Sequence, residues 1–236
     1  MEQLYLEVFA EFPQVKGFFA TKNGASEGSP YYHEEALCRQ GLETMNFIWP
    51  GQAHKDHIEV IEKRREEPQR FPDTDGVITN VPEVLLTTVH ADCLPVYFFD
   101  PEKKAIGLVH AGWRGSVLGI AAKAARKMAD VFSCRPEDIR AFIGPGISRC
   151  CFETGPEVIQ AFREAFDFAD EFAEPKGEKH NIDLKGINKR QLLREGLEEG
   201  HIAVSAHCTC CEPELFCSYR REGGTYKRMG AGLCLL

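Results

Sequence analysis

Four short apolar runs, at residues 76–81, 84–89, 94–99 and 105–109, crowd the middle of the sequence. They are rich in β-branched and aromatic residues, the composition of strands. Asn80-Val81-Pro82-Glu83 and Asp100-Pro101-Glu102-Lys103 supply turns between them. A parallel pair needs a crossover of a dozen or more residues, and these gaps leave no room for one. Neighbouring strands are therefore expected to be largely antiparallel.

A helix follows. Val117, Ile120, Ala121, Ala124, Met128 and Val131 recur at the spacing of one helical face, with Lys123, Arg126 and Lys127 elsewhere. Further helices are expected over 156–166 and 184–199. Strands are expected over 139–143, 201–205, 215–220 and 227–235. Strand runs with helices grouped between them indicate an α+β fold, with mixed, largely antiparallel sheets and helices in layers. A chain of 236 residues can form one such domain with a substantial core. The polar stretches 22–32 and 63–74 read as a loop and as a solvated excursion or lid, not as linkers, so one domain over 1–236 is expected.

Bulk charge narrows the function. A net charge of −8 argues against a nucleic-acid surface, which needs clustered Lys and Arg, but leaves small anionic substrates open. No stretch approaches the ~20 apolar residues of a membrane span. Glu2, Glu7 and Glu11 interrupt the N-terminal region where a signal peptide needs an apolar run. A cytoplasmic protein without membrane partners is expected, as a monomer or homodimer. In that compartment the ten cysteines read as reduced thiols, some in the core and a few as ligands or nucleophiles.

Two segments carry the chemistry: His90-Ala91-Asp92-Cys93-Leu94-Pro95-Val96 and His110-Ala111-Gly112-Trp113-Arg114-Gly115. Cys93 opens one expected strand and His110 closes the next. If those strands pair antiparallel around Asp100, the two side chains meet. A Cys–His pair can be a nucleophile with its base. With a second His it becomes a three-ligand metal set with an open fourth position. It can also be core packing, a thiol acting as a small hydrophobe. Spacing alone leaves these open.

Gln52-Ala53-His54, Asp75-Gly76-Val77-Ile78-Thr79, the Ala91–Val96 segment, the His110–Gly115 segment, Gly144-Pro145-Gly146-Ile147 and Cys151-Phe152-Glu153-Thr154-Gly155 occur in one order. Cys208-Thr209, Phe216-Cys217-Ser218-Tyr219-Arg220 and Arg228-Met229 continue the series, and residues 20–26 add an N-terminal loop. The chain resembles the laccase-domain family, also called multicopper polyphenol oxidoreductases and purine nucleoside phosphorylases, over nearly its whole length. The resemblance implies that His54, Cys93 and His110 bind one metal, with Cys93 and His110 also at the catalytic centre. His57 and His90 depart from the family pattern and are rival ligands or neighbours of the site. The stretch 29–47 is less similar, which bears on Arg39 as a substrate contact.

One thiolate with two imidazoles suits zinc, and copper as an alternative. Eight scattered histidines do not furnish the cluster plus blue-copper site of a multicopper oxidase. Arg114, Gly115 and Ser116 are read as directly preceding the amphipathic helix, where free N–H groups and a guanidinium would seat phosphate. The loop from Gly144 to Glu153 is a candidate for substrate contacts, with Gly144 and Cys151 lining the pocket and Glu153 a candidate general acid/base. Cys208-Thr209-Cys210-Cys211 has C-x-x-C spacing, but a structural metal site needs a second pair of ligands, and only Cys217 is near in sequence.

The resemblance implies phosphorolysis of adenosine, inosine and methylthioadenosine, with some adenosine deamination, which a zinc site that activates water against C6 of adenine would support. The rival readings are a copper-dependent phenol oxidase, a metal-free Cys93/His110 hydrolase and a non-enzymatic metal or redox sensor built on the C-terminal cysteines.

Overall fold

In the computed structural model the described residues are 3–24, 31–32, 34–43, 45–64 and 67–236. Much of the expected 22–32 loop, including the Ala25–Ser26 end of the N-terminal resemblance, lies outside them. So do two residues of the 63–74 excursion.

Two large sheets form the body. The first has the order Tyr5–Val8, Val15–Ala20, Arg228–Leu235, Val84–His90, Asn46–Pro50, Gln69–Phe71, with Tyr31–Tyr32 beside Arg228–Leu235. The second runs Ile202–Val204, Arg140–Ile143, Leu94–Asp100, Ala105–Ala111, Gly76–Thr79, Ile58–Ile61. A small third sheet joins Glu153–Thr154, Lys179–Ile182 and Ala173–Lys176. The central pairings are antiparallel, and that of Leu94–Asp100 with Ala105–Ala111 is required by its short connection. Parallel pairs occur where longer connections allow them, as between Asn46–Pro50 and Val84–His90 or Ile58–Ile61 and Gly76–Thr79.

Consecutive strands do not all pair. Gly76–Thr79 belongs to the second sheet, Val84–His90 to the first, and Leu94–Asp100 returns to the second. The chain thus crosses between the sheets twice within about two dozen residues, and those crossings place the Cys93 loop at a sheet corner.

Alternation along Leu94–Asp100 explains its unbroken apolar character. Tyr97 and Phe99 face the first sheet and meet Phe19, Leu86, Ala231 and Leu233. Val96 and Phe98 face the helices, packing with Ala121, Ala124 and Met128 of Ile120–Phe132, Phe162 of Pro156–Ala165 and Ile187 of Leu184–Arg194. A strand buried on both faces reads as a continuous hydrophobic run. The outer face of the first sheet is covered in turn by Ala36 and Leu37 of Glu34–Gln40. The layers are helix, sheet, sheet, helix. Tyr97 satisfies its phenol across the inner interface by donating to the Phe18 carbonyl at 2.8 Å. Among the described residues no helix is long and apolar enough to cross a membrane.

Three sequence expectations are corrected. The 117–131 face is broken at Gly119, whose φ of 74° ends Trp113–Val117 and starts Ile120–Phe132, and Val131 is 44% exposed. The 184–199 helix stops at Arg194, ahead of Gly196 with φ 92°. Residues 215–220 form no strand, because Ser218 caps the short helix Tyr219–Glu222 by accepting from the Arg221 N–H.

These layers set a graded response to truncation. Phe98→Ala, at a fully buried site, is expected to destabilise the protein by about 3–5 kcal/mol. Val131→Ala should stay within about 0.5 kcal/mol. Urea unfolding midpoints check both.

Candidate metal centre

The centre begins with strand register. Leu94 pairs with Ala111 and Pro95 with His110, so Cys93, just ahead of its strand, reaches His110 at the end of the next. This is the meeting that the turn at Asp100 implied.

The third member comes from the segment after Asn46–Pro50. There Gln52 imitates a strand residue: its amide donates to the Val89 carbonyl at 2.6 Å, and its carbonyl accepts from the Val89 N–H at 2.8 Å. Gln52 and His54 both have left-handed backbones, with φ of 55° and 60°, which costs about 1–2 kcal/mol for each such residue. Those side-chain bonds and two N–H bonds to Asp75 offset that cost.

Asp75 is the orienting group. Its buried carboxylate accepts from His110 Nδ1 at 2.8 Å, from the His54 N–H at 3.0 Å and from the Lys55 N–H at 2.8 Å. The His110 ring is thereby fixed with Nε2 directed away from Asp75. Ligand atoms of His54, Cys93 and His110 all lie within 4.8 Å of one another, and the two imidazoles meet edge to face at 4.9 Å.

Charge is distributed to match. Burial would raise the Asp75 carboxyl, but the bonds from His110 and Lys55 hold it below its ordinary value. Burial would likewise raise the Cys93 thiol, yet the charge and hydrogen bond of His110, with help from His54, bring it down to about 6. Burial opposes charge on His110, and the Cys93 thiolate together with Asp75 outweighs it, lifting the imidazole to about 9. Cys93 is held as a thiolate, the form that binds a cation.

The donor set fits a single metal ion. Two imidazoles and one thiolate converge, and the carboxylate behind His110 is the partner that metal-binding histidines ordinarily have. The space in front is kept by Gly112: a Cβ there would sit 3.0 Å from Cys93 Sγ and 3.2 Å from His54 Cδ2. Only a glycine leaves that cradle open.

The rival histidines stay outside. His90 is buried with Nε2 2.7 Å from Thr88 Oγ1 and Nδ1 3.1 Å from the Cys93 carbonyl, so both nitrogens are engaged. Burial and the His110 charge hold it well below its ordinary value, hence neutral. His57 is exposed and pairs with Glu59.

Other expected residues separate. Arg114, Gly115 and Ser116 lie within the five-residue helix Trp113–Val117 rather than ahead of the long helix. The Ser116 N–H is bonded to the Gly112 carbonyl. The Arg114 guanidinium is exposed and stacks 4.3 Å above Trp113. Gly144 packs against Leu94–Asp100, where a Cβ would come within 2.7 Å of Pro95. Glu153 is clamped by Lys176 and Lys179, both at 2.7 Å, and these hold its carboxyl down at about 2. That suits an ion pair, not a group that must carry a proton near neutrality. Cys151 sits among other cysteines. Arg39 pairs with Glu35 on the outer helix.

Two residues that the sequence reading passed over prove central. Asp75 is one; it lay inside a quoted motif but carried no assigned role. Asp92 is the other. Its carboxylate accepts from Thr209 Oγ1 at 2.6 Å, Ser218 Oγ at 3.0 Å and the Arg220 N–H at 2.9 Å. These bonds tie Thr209 and the Ser218–Arg220 segment to Asp92, beside Cys93.

The family model for multi-copper polyphenol oxidoreductase laccase matches residues 32–236. Purine nucleoside phosphorylase YlmD of Bacillus subtilis (strain 168) is 34% identical over 241 residues, spanning 92% of this chain and 87% of that one. Adenosine deaminase RL5, from an unknown prokaryotic organism, is 31% identical over 256 residues, spanning 95% and 96%. The crystal structure of the Bacillus licheniformis hypothetical protein YfiH superposes with a TM-score of 0.89 at 31% identity, covering 98% of this chain and 96% of that one.

Asp75→Asn is expected to weaken zinc binding at this centre by about 10–100-fold, the usual effect of losing the carboxylate behind a histidine ligand. Competition against a chromophoric chelator measures it, and an unchanged affinity would contradict the orienting role.

Proposed function

The chain belongs to the multi-copper polyphenol oxidoreductase laccase family, and from that premise we propose that it is a purine nucleoside phosphorylase with an associated adenosine deaminase activity. The observation that carries this reading is the His54–Cys93–His110 group, buttressed by Asp75 and kept open by Gly112, in a chain whose full-length relatives include proteins with those two names.

His54, Cys93 and His110 would hold zinc, since a thiolate with two imidazoles is a common zinc donor set. Once bound, the ion would supply a fixed positive charge beside the substrate. The same donors would accept copper. A multicopper centre would need further histidines, and His90, the nearest in sequence to Cys93, has both nitrogens committed.

In phosphorolysis a phosphate oxygen bonds to C1′ of the nucleoside as the C1′–N9 bond breaks. The base leaves with that electron pair and takes up a proton, and the sugar leaves as ribose 1-phosphate. Arg114 is the phosphate contact in this reading. It follows Gly112 by two residues, is exposed and carries no carboxylate partner among the described contacts. Its stacking on Trp113 limits the guanidinium to a narrow set of positions, which favours bidentate grip of an oxyanion. Gly144 acts by permitting close packing under the Cys93 loop, and the clamped Glu153 maintains the 151–155 loop. In the deaminase reading water adds to C6 of the adenine ring and ammonia leaves, giving inosine, and a metal held by His54, Cys93 and His110 would supply the charge that favours that addition.

Base release from inosine should depend on phosphate and yield ribose 1-phosphate. His54→Ala and Cys93→Ser should each reduce it by on the order of 100-fold or more, the scale at which metal centres respond to lost partners. Release that proceeds equally without phosphate, or that survives full chelation but not alkylation of Cys93, would replace this reading with hydrolysis. Arg114→Gln should raise KM for phosphate by roughly tenfold or more, the loss of one charge-assisted hydrogen bond. KM for inosine should move little. Initial rates over a phosphate series separate the two.

A further inference from the structure

The C-x-x-C spacing at Cys208 lacks a second pair of ligands nearby in sequence. The fold supplies one from 58 residues upstream. Cys150 and Cys151 lie in a tight turn, with the Cys151 and Phe152 N–H groups both bonded to the Ser148 carbonyl at 3.0 Å. That turn brings both adjacent thiols to one side. Cys208 and Cys211 lie in a second turn, closed by the Cys211 N–H on the Cys208 carbonyl at 3.1 Å. The two turns face each other, joined by a bridge between Gly146 and Cys208 and by the Thr209 N–H on the Gly146 carbonyl.

We propose that Cys150, Cys151, Cys208 and Cys211 form a second, tetrathiolate site for one zinc-type ion, closed and structural, distinct from the His54–Cys93–His110 centre.

The sulfur geometry carries the assignment. Four sulfurs at about 2.3 Å from one zinc stand roughly 3.8 Å apart along the edges of a tetrahedron. Here all four lie within 4.8 Å of one another. Cys150 is 3.8 Å from Cys151, 3.8 Å from Cys208 and 3.5 Å from Cys211, while Cys151 is 3.3 Å from Cys211. All are free thiols.

The surroundings supply what a dianionic cluster needs. The Ser148 N–H points at Cys208 Sγ from 3.4 Å, the kind of hydrogen bond that steadies a ligating sulfur. Lys185 is only 5% exposed, and its ammonium bonds to Ser148 Oγ at 3.0 Å and to the Ser205 and His207 carbonyls at 3.0 and 2.6 Å. None of those acceptors is charged. The carboxylates in range, Asp183 and Glu212, are bonded elsewhere, Asp183 to Arg149 and Gly186, Glu212 to His207 and the Cys208 N–H. Cys208 and Cys150 also lie within electrostatic reach of Lys185. A buried ammonium without a bonded anion is costly, and thiolates around a metal are the anions that offset it. Arg221 adds a second cation, donating to the Thr209 and Cys210 carbonyls.

The ion would staple two loops that both hold the Cys93 segment. Ile147 donates its N–H to the Asp92 carbonyl at 2.9 Å, and Thr209 donates its hydroxyl to the Asp92 carboxylate. The site therefore braces the catalytic loop without touching substrate.

The full-length protein, purified under reducing conditions without chelator, should carry two equivalents of zinc. His54→Ala should retain one, Cys211→Ser a different one, and the double variant none, while Cys38→Ser on the outer helix keeps both. Cobalt loaded into His54→Ala should show the intense sulfur-to-cobalt charge transfer of four thiolates. Should Cys211→Ser fail to fold, alkylation mapping of the His54→Ala protein decides instead. Cys150, Cys151, Cys208 and Cys211 should be protected until chelator is added. A single equivalent lost entirely in His54→Ala, or four thiols that alkylate freely with zinc present, overturns the assignment.

Discussion

A single buried carboxylate, Asp75, holds the candidate centre together. Its side chain fixes the His110 ring and two successive backbone N–H groups at His54 and Lys55. Its main chain takes part as well, with the His110 N–H on its carbonyl at 2.7 Å and its own N–H on the His57 carbonyl at 2.9 Å. One residue therefore binds the segment that carries His54 to the strand that carries His110. A carboxylate this buried survives only with such a full complement of donors. Without Asp75, the left-handed backbone at His54 would lose the two N–H bonds that hold it, at His54 and Lys55.

Asp92 repeats the device on the other side of Cys93. Its three donors come from Thr209, Ser218 and Arg220, more than a hundred residues away. Cys93 thus sits between two carboxylate hubs, one that positions its histidine partners and one that positions its own loop. Other acidic residues, such as Glu35, Asp167 and Glu199, pair with arginine or lysine at the surface, where such pairs contribute little. The chain's net negative charge is therefore a poor guide to its chemistry, which depends on two carboxylates inside.

Legibility in the sequence followed the range of the interaction. The strands 76–79, 84–90, 94–100 and 105–111 were readable because β-branched and aromatic runs and turn residues are local, and the Cys93–His110 meeting followed from one hairpin. The edge strands Tyr5–Val8 and Ile58–Ile61 were not, since each is only four residues long, too short for a run of three apolar residues to mark it as a strand. The 215–220 run had strand composition, but Ser218 and the Arg220 N–H are committed to Asp92, a partner that no local window contains. The helix at 117–131 was readable as a face, while its interruption depended on one glycine with positive φ. Of the candidate residues, His54, Cys93 and His110 do come together. Glu153 was chosen for its chemistry in isolation, and the two lysines that neutralise it lie across a sheet that has no sequence signature. The family implied by the shared segments was legible because those segments are the ones folded around Asp75 and Asp92.

The cysteines show the same limit from the opposite direction. A C-x-x-C pair invites a search for its mate at similar spacing, because small zinc modules close over short loops. Here the mate is an adjacent pair, and the chain between carries four strands, two α-helices and the turn to Cys208. Such a site could not form before the second sheet and its helices had assembled, so it would stabilise a finished tertiary arrangement and could not nucleate one. Its position is then informative. It joins the two loops that reach Asp92, at the point where the Cys93 segment is held by side chains from distant parts of the sequence. Hydrogen bonds from flexible loops fix a geometry only as well as the loops themselves are fixed. A closed tetrahedral ligand set would remove that freedom a few residues from the thiolate that must meet two imidazoles.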